Sequence, residues 1–255
     1  MKRLIIISFI LTIYFICQSS FAQLSRRNQK EIYAGLAAPQ NPDNFKEFWK
    51  VGFSLNFQYV FFPSYRIGVP ISLGLETFTV DKTAISNSFR DLLVGFRFID
   101  NTLNPVAEIT DASVQTEGSA GDLKFGIGIR PYLTSPTSSL QFFLFGNFTF
   151  NVISLKREFK EASVTILDVN SGVLTDGTVT SEELRTDGFP TKFEESDGKF
   201  GMGLGFGFEM PASGSFNLIF QGVANIIFAD YQEFRGEEGK EEYLSFFGLT
   251  VGMAF

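Results

Sequence analysis

Residues 199 to 210 put Phe200, Met202, Leu204, Phe206, Phe208 and Met210 at every second position, with Lys199, Gly201, Gly203, Gly205, Gly207 and Glu209 between them. Side chains alternate across a β-strand, so a strict period of two makes one large apolar face and one face that is small or charged. A helix cannot gather such a pattern on one side. Residues 243 to 255 repeat it, with Tyr243, Ser245, Phe247, Leu249, Val251, Met253 and Phe255 opposed to Leu244, Phe246, Gly248, Thr250, Gly252 and Ala254. So do residues 48 to 61, where Trp49, Val51, Phe53, Leu55, Phe57, Tyr59 and Phe61 alternate with Lys50, Gly52, Ser54, Asn56 and Gln58. Further strands are predicted over 65–80, 122–133, 139–154 and 215–229, with a shorter, weaker one at 31–38.

Eight strands is an even number, as a closed bacterial barrel requires. In a soluble sandwich the apolar faces would point inward and the polar faces outward. Two features argue against that. The small faces are rich in glycine, which suits a crowded lumen better than a solvated surface, and most strands exceed the 9 to 11 residues of a membrane crossing. The intervening connections, 39–47, 62–64, 81–121, 134–138, 155–198, 211–214 and 230–242, alternate long and short without exception. Long extracellular loops and short periplasmic turns produce that parity and leave both chain ends on the periplasmic side. The short links Phe62-Pro63-Ser64, residues 134–138 and residues 211–214 each carry proline beside small polar residues that favour tight turns. Unstructured loops as long as 81–121 and 155–198 are expected to be functional or mobile. Residues 92–99 (LLVGFRFI) could form another strand but are read as part of an extension above the membrane, because one more crossing would break the parity.

Residues 1–22 read as a signal peptide: Lys2 and Arg3 precede an apolar run from 4 to 17, and Ser20-Phe21-Ala22 sets up cleavage after Ala22. Residues 23–30 are then a periplasmic segment and 31–255 the barrel. The mature chain has no cysteine, and no later apolar stretch is long enough for a membrane helix.

The chain carries 21 basic and 28 acidic residues and no histidine. Without an imidazole, Ser-His-Asp and Cys-His nucleophile systems and imidazole metal sites are excluded, and no enzymatic activity is expected. A net charge of −7 argues against nucleic acid as partner. The four long connections hold 11 basic and 24 acidic residues, a net charge of −13, so the acid is concentrated outside the barrel.

These features together resemble the outer-membrane β-barrel, or porin, family of Gram-negative bacteria, including the OmpA-like membrane domain. The resemblance covers essentially the whole mature chain and is most specific at the C-terminus. There Phe247, Leu249, Val251, Met253 and Phe255 look like the signal read by the barrel-assembly machinery. It implies an all-β, eight-stranded antiparallel up-and-down transmembrane barrel in the outer membrane, with outer-membrane lipid and lipopolysaccharide as partners. Members with a cell-wall-binding domain continue past the last strand, so anchoring by that route is not expected. The family's lipid-modifying and proteolytic enzymes generally use histidine, which this chain lacks.

Inward-facing charges are expected at Lys50, Arg66, Glu76, Asp122, Lys124, Arg130, Lys199 and Glu209, with Arg66, Arg130 and Glu209 towards the periplasmic end. Charges in a narrow lumen are costly unless paired, so ion pairs filling the barrel are expected, with a gated pore as the competing use. An eight-stranded barrel is just wide enough for side chains, and Phe143, Phe145 and Phe246 narrow it further. The segment 168–183 superficially suggests a calcium loop but places Gly172 and Leu174 where ligands belong. No cofactor or metal is expected. The sequence therefore points to a small outer-membrane barrel with a structural or surface-interaction role through acidic loops, with an extracellular macromolecule as a further expected partner. The alternative is a narrow channel for ions or small apolar solutes.

Overall fold

A computed structural model of the chain describes residues 28–99, 104–135, 137–186, 191–213, 216–228 and 243–255. The signal segment, its cleavage site and most of residues 23–30 lie outside the described residues, as does the whole of the 230–242 connection. In chain order the elements are β1 (Gln29–Asn41), α1 (Asp43–Phe48), β2 (Gly52–Ser64), β3 (Ile67–Thr79), α2 (Lys82–Leu93), β4 (Arg97–Ile99) and β5 (Pro105–Pro131). They continue with β6 (Gln141–Asp168), β7 (Leu174–Thr180), α3 (Ser181–Thr186), β8 (Lys192–Ser213), β9 (Phe216–Ile227) and β10 (Leu244–Ala254).

Eight of these strands pair antiparallel with their neighbours as β1-β2-β3-β5-β6-β8-β9-β10, and β10 returns to β1, closing the ring. Closure leaves no free edge in the barrel wall. At the seam Lys30 and Phe255 exchange both backbone hydrogen bonds, each 3.0 Å. The expected strand count and parity describe this ring. Residues 92–99 add no crossing: they end α2 and form the short β4, which pairs with β5 above the ring.

The wall is inverted relative to a soluble protein. Along β2 the side chains of Phe53, Leu55, Phe57, Tyr59 and Phe61 are exposed, while Ser54, Asn56 and Gln58 are buried. From residue 51 to residue 61 the outward apolar face, at about 3.3 Å per residue and a tilt of about 40°, spans about 25 Å, the height of a membrane barrel's apolar band. Among the described residues no helix is long and apolar enough to cross a membrane. The chain is thus an eight-stranded transmembrane β-barrel, the architecture of outer-membrane proteins.

The long connections depart from expectation. β5 and β6 do not stop near residues 122 and 154 but continue as a paired ribbon to Ala107↔Asp168, flanked by β4 and β7. β8 likewise begins at Lys192 and pairs with β6 up to Lys192↔Glu158. Register shifts at Ile109/Asp111 and Gln115/Thr116 interrupt the ribbon. The first leaves Thr110 extra on β5 and the second Lys160 on β6; along β5 the inward parity holds from Ala112 onward, but the exposed positions Ser113, Gln115, Glu117 and Ser119 are polar, which removes the apolar outward face that marks a membrane strand. α2 fills much of the remaining connection; Asp81 caps it, its carboxylate accepting the backbone N–H of Thr83 and Ala84.

Trp49 also departs from the alternation. β2 starts only at Gly52, so Trp49 escapes the lipid-facing parity of Val51 and is buried inside the barrel mouth beside α1.

Candidate functional site

The lumen is stacked in three layers. At the short-turn end Tyr33, Val60, Phe62, Tyr132, Phe143 and Phe145 form an apolar cluster with Ile219, Val223 and Ala254. Two polar groups are embedded there. Arg130 on β5 reaches across to β1, its Nη1 donating to Glu31 Oε1 (2.7 Å) and its Nη2 to Glu31 Oε2 (2.9 Å), Tyr33 Oη (3.2 Å) and Gln58 Oε1 (2.6 Å). The guanidinium lies 4.7 Å from the centroid of the Phe143 ring, a cation–π distance. Tyr33 in turn donates to Glu31 Oε2 at 2.5 Å. Nearby, Glu209 on β8 accepts from Tyr132 Oη (3.0 Å), Gln29 Nε2 (3.0 Å) and Asn217 Nδ2 (2.5 Å).

The middle layer is polar. Lys124 on β5 is ion-paired with Glu76 on β3, and Ser54 Oγ donates to the same carboxylate at 3.3 Å while accepting from Asn56 Nδ2 at 2.8 Å. Asp122 is buried directly across the ladder from Glu76. Glycines make room: a Cβ on Gly205 would sit 2.4 Å from the Phe145 ring and one on Gly207 2.5 Å from the Phe143 ring. Glycine at these positions of β8 lets two phenylalanines from β6 lie inside so narrow a barrel.

At the long-connection end α1 tucks into the mouth. Phe45 packs edge-on against Phe78, with ring centroids 5.2 Å apart, and lies 6.2 Å from Trp49; Phe78 meets Phe246 at 5.6 Å. Ala37, Val80, Ala120, Ile153, Leu155, Ile227 and Leu244 complete this plug, leaving a cavity of only about 20 Å³. That is about the room of a single water.

Of the charged residues expected inside, Glu76, Asp122, Lys124, Arg130 and Glu209 are buried in the lumen. Lys50 and Arg66 are corrections. Lys50 precedes β2 and lies exposed at the rim, 3.9 Å from Asp81, while Arg66 sits at the tip of the β2–β3 turn, past the last inward position, and stacks on Tyr65. Lys199 is only half-buried, near the outer mouth, and pairs with Asp197 at 2.6 Å. Glu31, the partner of Arg130, was missed because the first strand reads weakly. Its parity with Tyr33, Gly35 and Ala37 carried the signal. Phe255, Met253, Val251 and Leu249 lie on the exposed outer face of β10, with Phe247 partly covered.

Glu209 allows a direct test of the lumen. Glu209→Ala leaves Tyr132, Gln29 and Asn217 without this acceptor and is expected to cost about 2 kcal/mol or more. It should lower the thermal unfolding temperature of the folded barrel; an unchanged transition would refute the role.

Above the ring, exposed carboxylates are used to shape turns. Asp168 Oδ1 accepts the backbone N–H groups of Ser171 and Asn170, both at 2.9 Å, and these hold its carboxyl below the ordinary range. The backbone N–H of Thr180 (2.7 Å) and its hydroxyl (2.9 Å) do the same for Glu183. A carboxyl depressed in the folded state contributes stability above its unfolded pKa and loses it as pH falls through the folded one. Acidification below the ordinary carboxylate range should therefore loosen the β6–β7 hairpin. Amide exchange over 161–180, corrected for intrinsic rate, should speed up while the barrel strands stay protected. Among the described residues no cluster of three or more potential metal ligands exists.

No protein-family model matches the sequence, and no curated protein matches it. Several solved structures are similar in shape. Neisserial surface protein A matches at 10% identity and a TM-score of 0.43, covering 89% of this chain and 95% of that one. A major outer membrane protein from Thermus thermophilus matches at 11% identity and TM-score 0.42, covering 90% and 100%. Ail, the attachment invasion locus protein of Yersinia pestis, matches at 10% and 0.40, also covering 90% and 100%. Sequence likeness this low does not extend to activity.

Proposed function

We propose that this transmembrane barrel is a sealed structural protein of the outer membrane whose working part is the extension above the ring, acting in surface interaction. The observation that carries the reading is the filled lumen: an aromatic plug around Phe45 and Trp49 at one end, and the Arg130–Glu31 and Glu209 groups among aromatic rings at the other. Such an interior supports rigidity rather than the narrow-channel alternative. The short turns then face the periplasm and the long connections the exterior. Export would use the 1–22 signal peptide with cleavage after Ala22, and the exposed face formed by Leu249, Val251, Met253 and Phe255, with Phe247, would be presented to the barrel-assembly machinery. Acidic connections would meet lipopolysaccharide through divalent cations, and the β4–β7 sheet with α2, where exposed apolar side chains such as Leu92, Phe96, Ile99 and Leu174 stand among charges, offers a platform to an extracellular macromolecule.

Two measurements test this reading. Protease added to intact cells should cut in the α2–β4 connection and leave the ring strands protected. Planar-bilayer recordings of purified protein should show no reproducible single-channel step. A discrete, reproducible conductance would replace this reading with the channel.

A further inference from the structure

The ring has no open edge, but the extension above it does. The sheet order ends at β7, and among the described residues no strand lies on its outer side. β7 pairs with β6 alone, from Glu161↔Thr180 to Leu167↔Leu174. At the head of this hairpin the backbone N–H of Asp168 donates to the Val173 carbonyl at 2.9 Å. In an antiparallel ladder such bonded pairs recur at every second residue, so Thr175, Gly177 and Val179 turn their backbone groups towards β6. Leu174, Asp176, Thr178 and Thr180 turn theirs outward. Thr180 agrees with that phase, because its N–H donates instead to Glu183 Oε2 at 2.7 Å. The N–H and carbonyl groups of Leu174, Asp176 and Thr178 are left as a row that, among the described residues, no strand pairs with.

Natural edges are blunted by lysine, proline, bulges or shortness. β7 has no lysine, no proline and no register shift against β6, and six of its seven residues are exposed. The opposite edge, β4, has only three residues, and its Arg97 is tied to Glu108 at 2.8 Å. Main-chain groups in such a row are met by the edge of another strand.

The strand is complementary to itself. A two-fold axis through Gly177 sets Leu174 opposite Thr180 of the copy, Thr175 opposite Val179 and Asp176 opposite Thr178, so all of 174–180 is used. The residues with outward backbone groups then face one another as bonded pairs. Thr175 meets Val179 on one face, no acid stands directly opposite an acid, and Leu174 and Val179, 61% and 42% exposed, gain cover. Centring the axis on Asp176 would oppose the two carboxylates directly.

Direction decides where the copy sits. β6 ascends from the ring, so β7 descends towards it. Copies in one membrane share that direction, and antiparallel pairing needs one of them inverted. A facing membrane supplies that inversion. The reach is sufficient: Glu161 to Leu167 lie nine to fifteen residues past Val152, the last exposed apolar residue of β6 before the ribbon, or about 30–50 Å along the strand.

From this geometry we infer that β7 pairs edge to edge with β7 of a second copy of this chain in a facing membrane. The inference deepens the surface-interaction reading by naming a second copy as the extracellular macromolecule, and it rests on that reading's placement of the extension outside the cell.

Purified protein is reconstituted into two populations of phosphatidylcholine vesicles with different lipid dyes and with tags of two sizes on the protein, extension outward as protease cutting of the α2–β4 connection shows. A single short edge contact is weak, and many copies per vesicle multiply it. Mixed populations are expected to cluster. Thr178→Pro removes an outward N–H and leaves the bonds to β6 in place, so it should abolish clustering with the thermal unfolding temperature retained. Gly177→Cys puts a thiol on the two-fold axis, at a position where a Cβ meets nothing closer than Val164 at 3.7 Å. Under mild oxidation it should form mixed-tag disulfide dimers at least about tenfold faster than Leu174→Cys, whose copies would lie about 20 Å apart. Vesicles that stay dispersed, clustering that survives Thr178→Pro, equal cross-linking from the two cysteine variants, or dimers without mixed tags overturn the pairing. Failure here leaves the protease and conductance results standing, so the two readings fail separately.

Discussion

Replacing Arg130 with methionine is expected to remove about 3–5 kcal/mol from the barrel, the largest loss of any single charge substitution in the lumen. The guanidinium satisfies both oxygens of Glu31, the Gln58 carbonyl and, as a donor, the Tyr33 hydroxyl, and all four groups are buried. Removing it leaves the Glu31 carboxylate without its counter-charge, in a site where Tyr33 is the remaining donor. A large share of the cost is that stranded anion rather than the net worth of the pair. The double variant Glu31→Gln, Arg130→Met should therefore lose at least about 1 kcal/mol less than the sum of the two single losses. Equilibrium urea unfolding of protein folded into lipid vesicles measures all three. Additive losses would show that the two side chains do not act as a pair.

Gly207→Val is expected to stop the barrel from closing. A Cβ there would stand 2.5 Å from the Phe143 ring and 2.5 Å from the backbone carbonyl oxygen of Phe220. A flexible side chain could swing away, but Phe143 is held between Tyr132, with centroids 5.5 Å apart, and Arg130, and the carbonyl belongs to the β8–β9 ladder. The cost should reach or exceed the roughly 3 kcal/mol upper end of ordinary overpacking. Folded protein would be lost from the fast-migrating band on unboiled gels. The double variant Gly207→Ala, Phe143→Leu, which shortens the opposing ring, should recover more folded material than Gly207→Val. Wild-type yields of folded Gly207→Val would refute the steric account.

Both outcomes depend on the same division of labour. Glycine on one parity and phenylalanine on the other was legible along residues 199–210, because alternation across a strand is a local property of the chain. The same rule placed Glu76, Asp122, Lys124, Arg130 and Glu209 on inward positions. It failed at Lys50, Arg66 and Trp49, which sit where a strand has not begun or has just turned, so that parity no longer says which way a side chain points. It failed again over 105–121, where the exposed face of β5 is polar rather than apolar and a paired ribbon reads as a loop.

By itself the sequence determined the number of barrel strands, their faces within the membrane and the alternation of long and short connections, since burial of apolar side chains in lipid and small ones in the lumen is decided residue by residue. Only the tertiary structure decided which lumen charges meet. Arg130 finds Glu31, 99 residues away and across the interior from it, because ring closure and strand stagger bring β5 and β1 to that height. It also decided that α1 folds into the mouth and that β7 stands above the ring at the end of the sheet. Those arrangements depend on where whole elements come to rest, and no period along the chain records it.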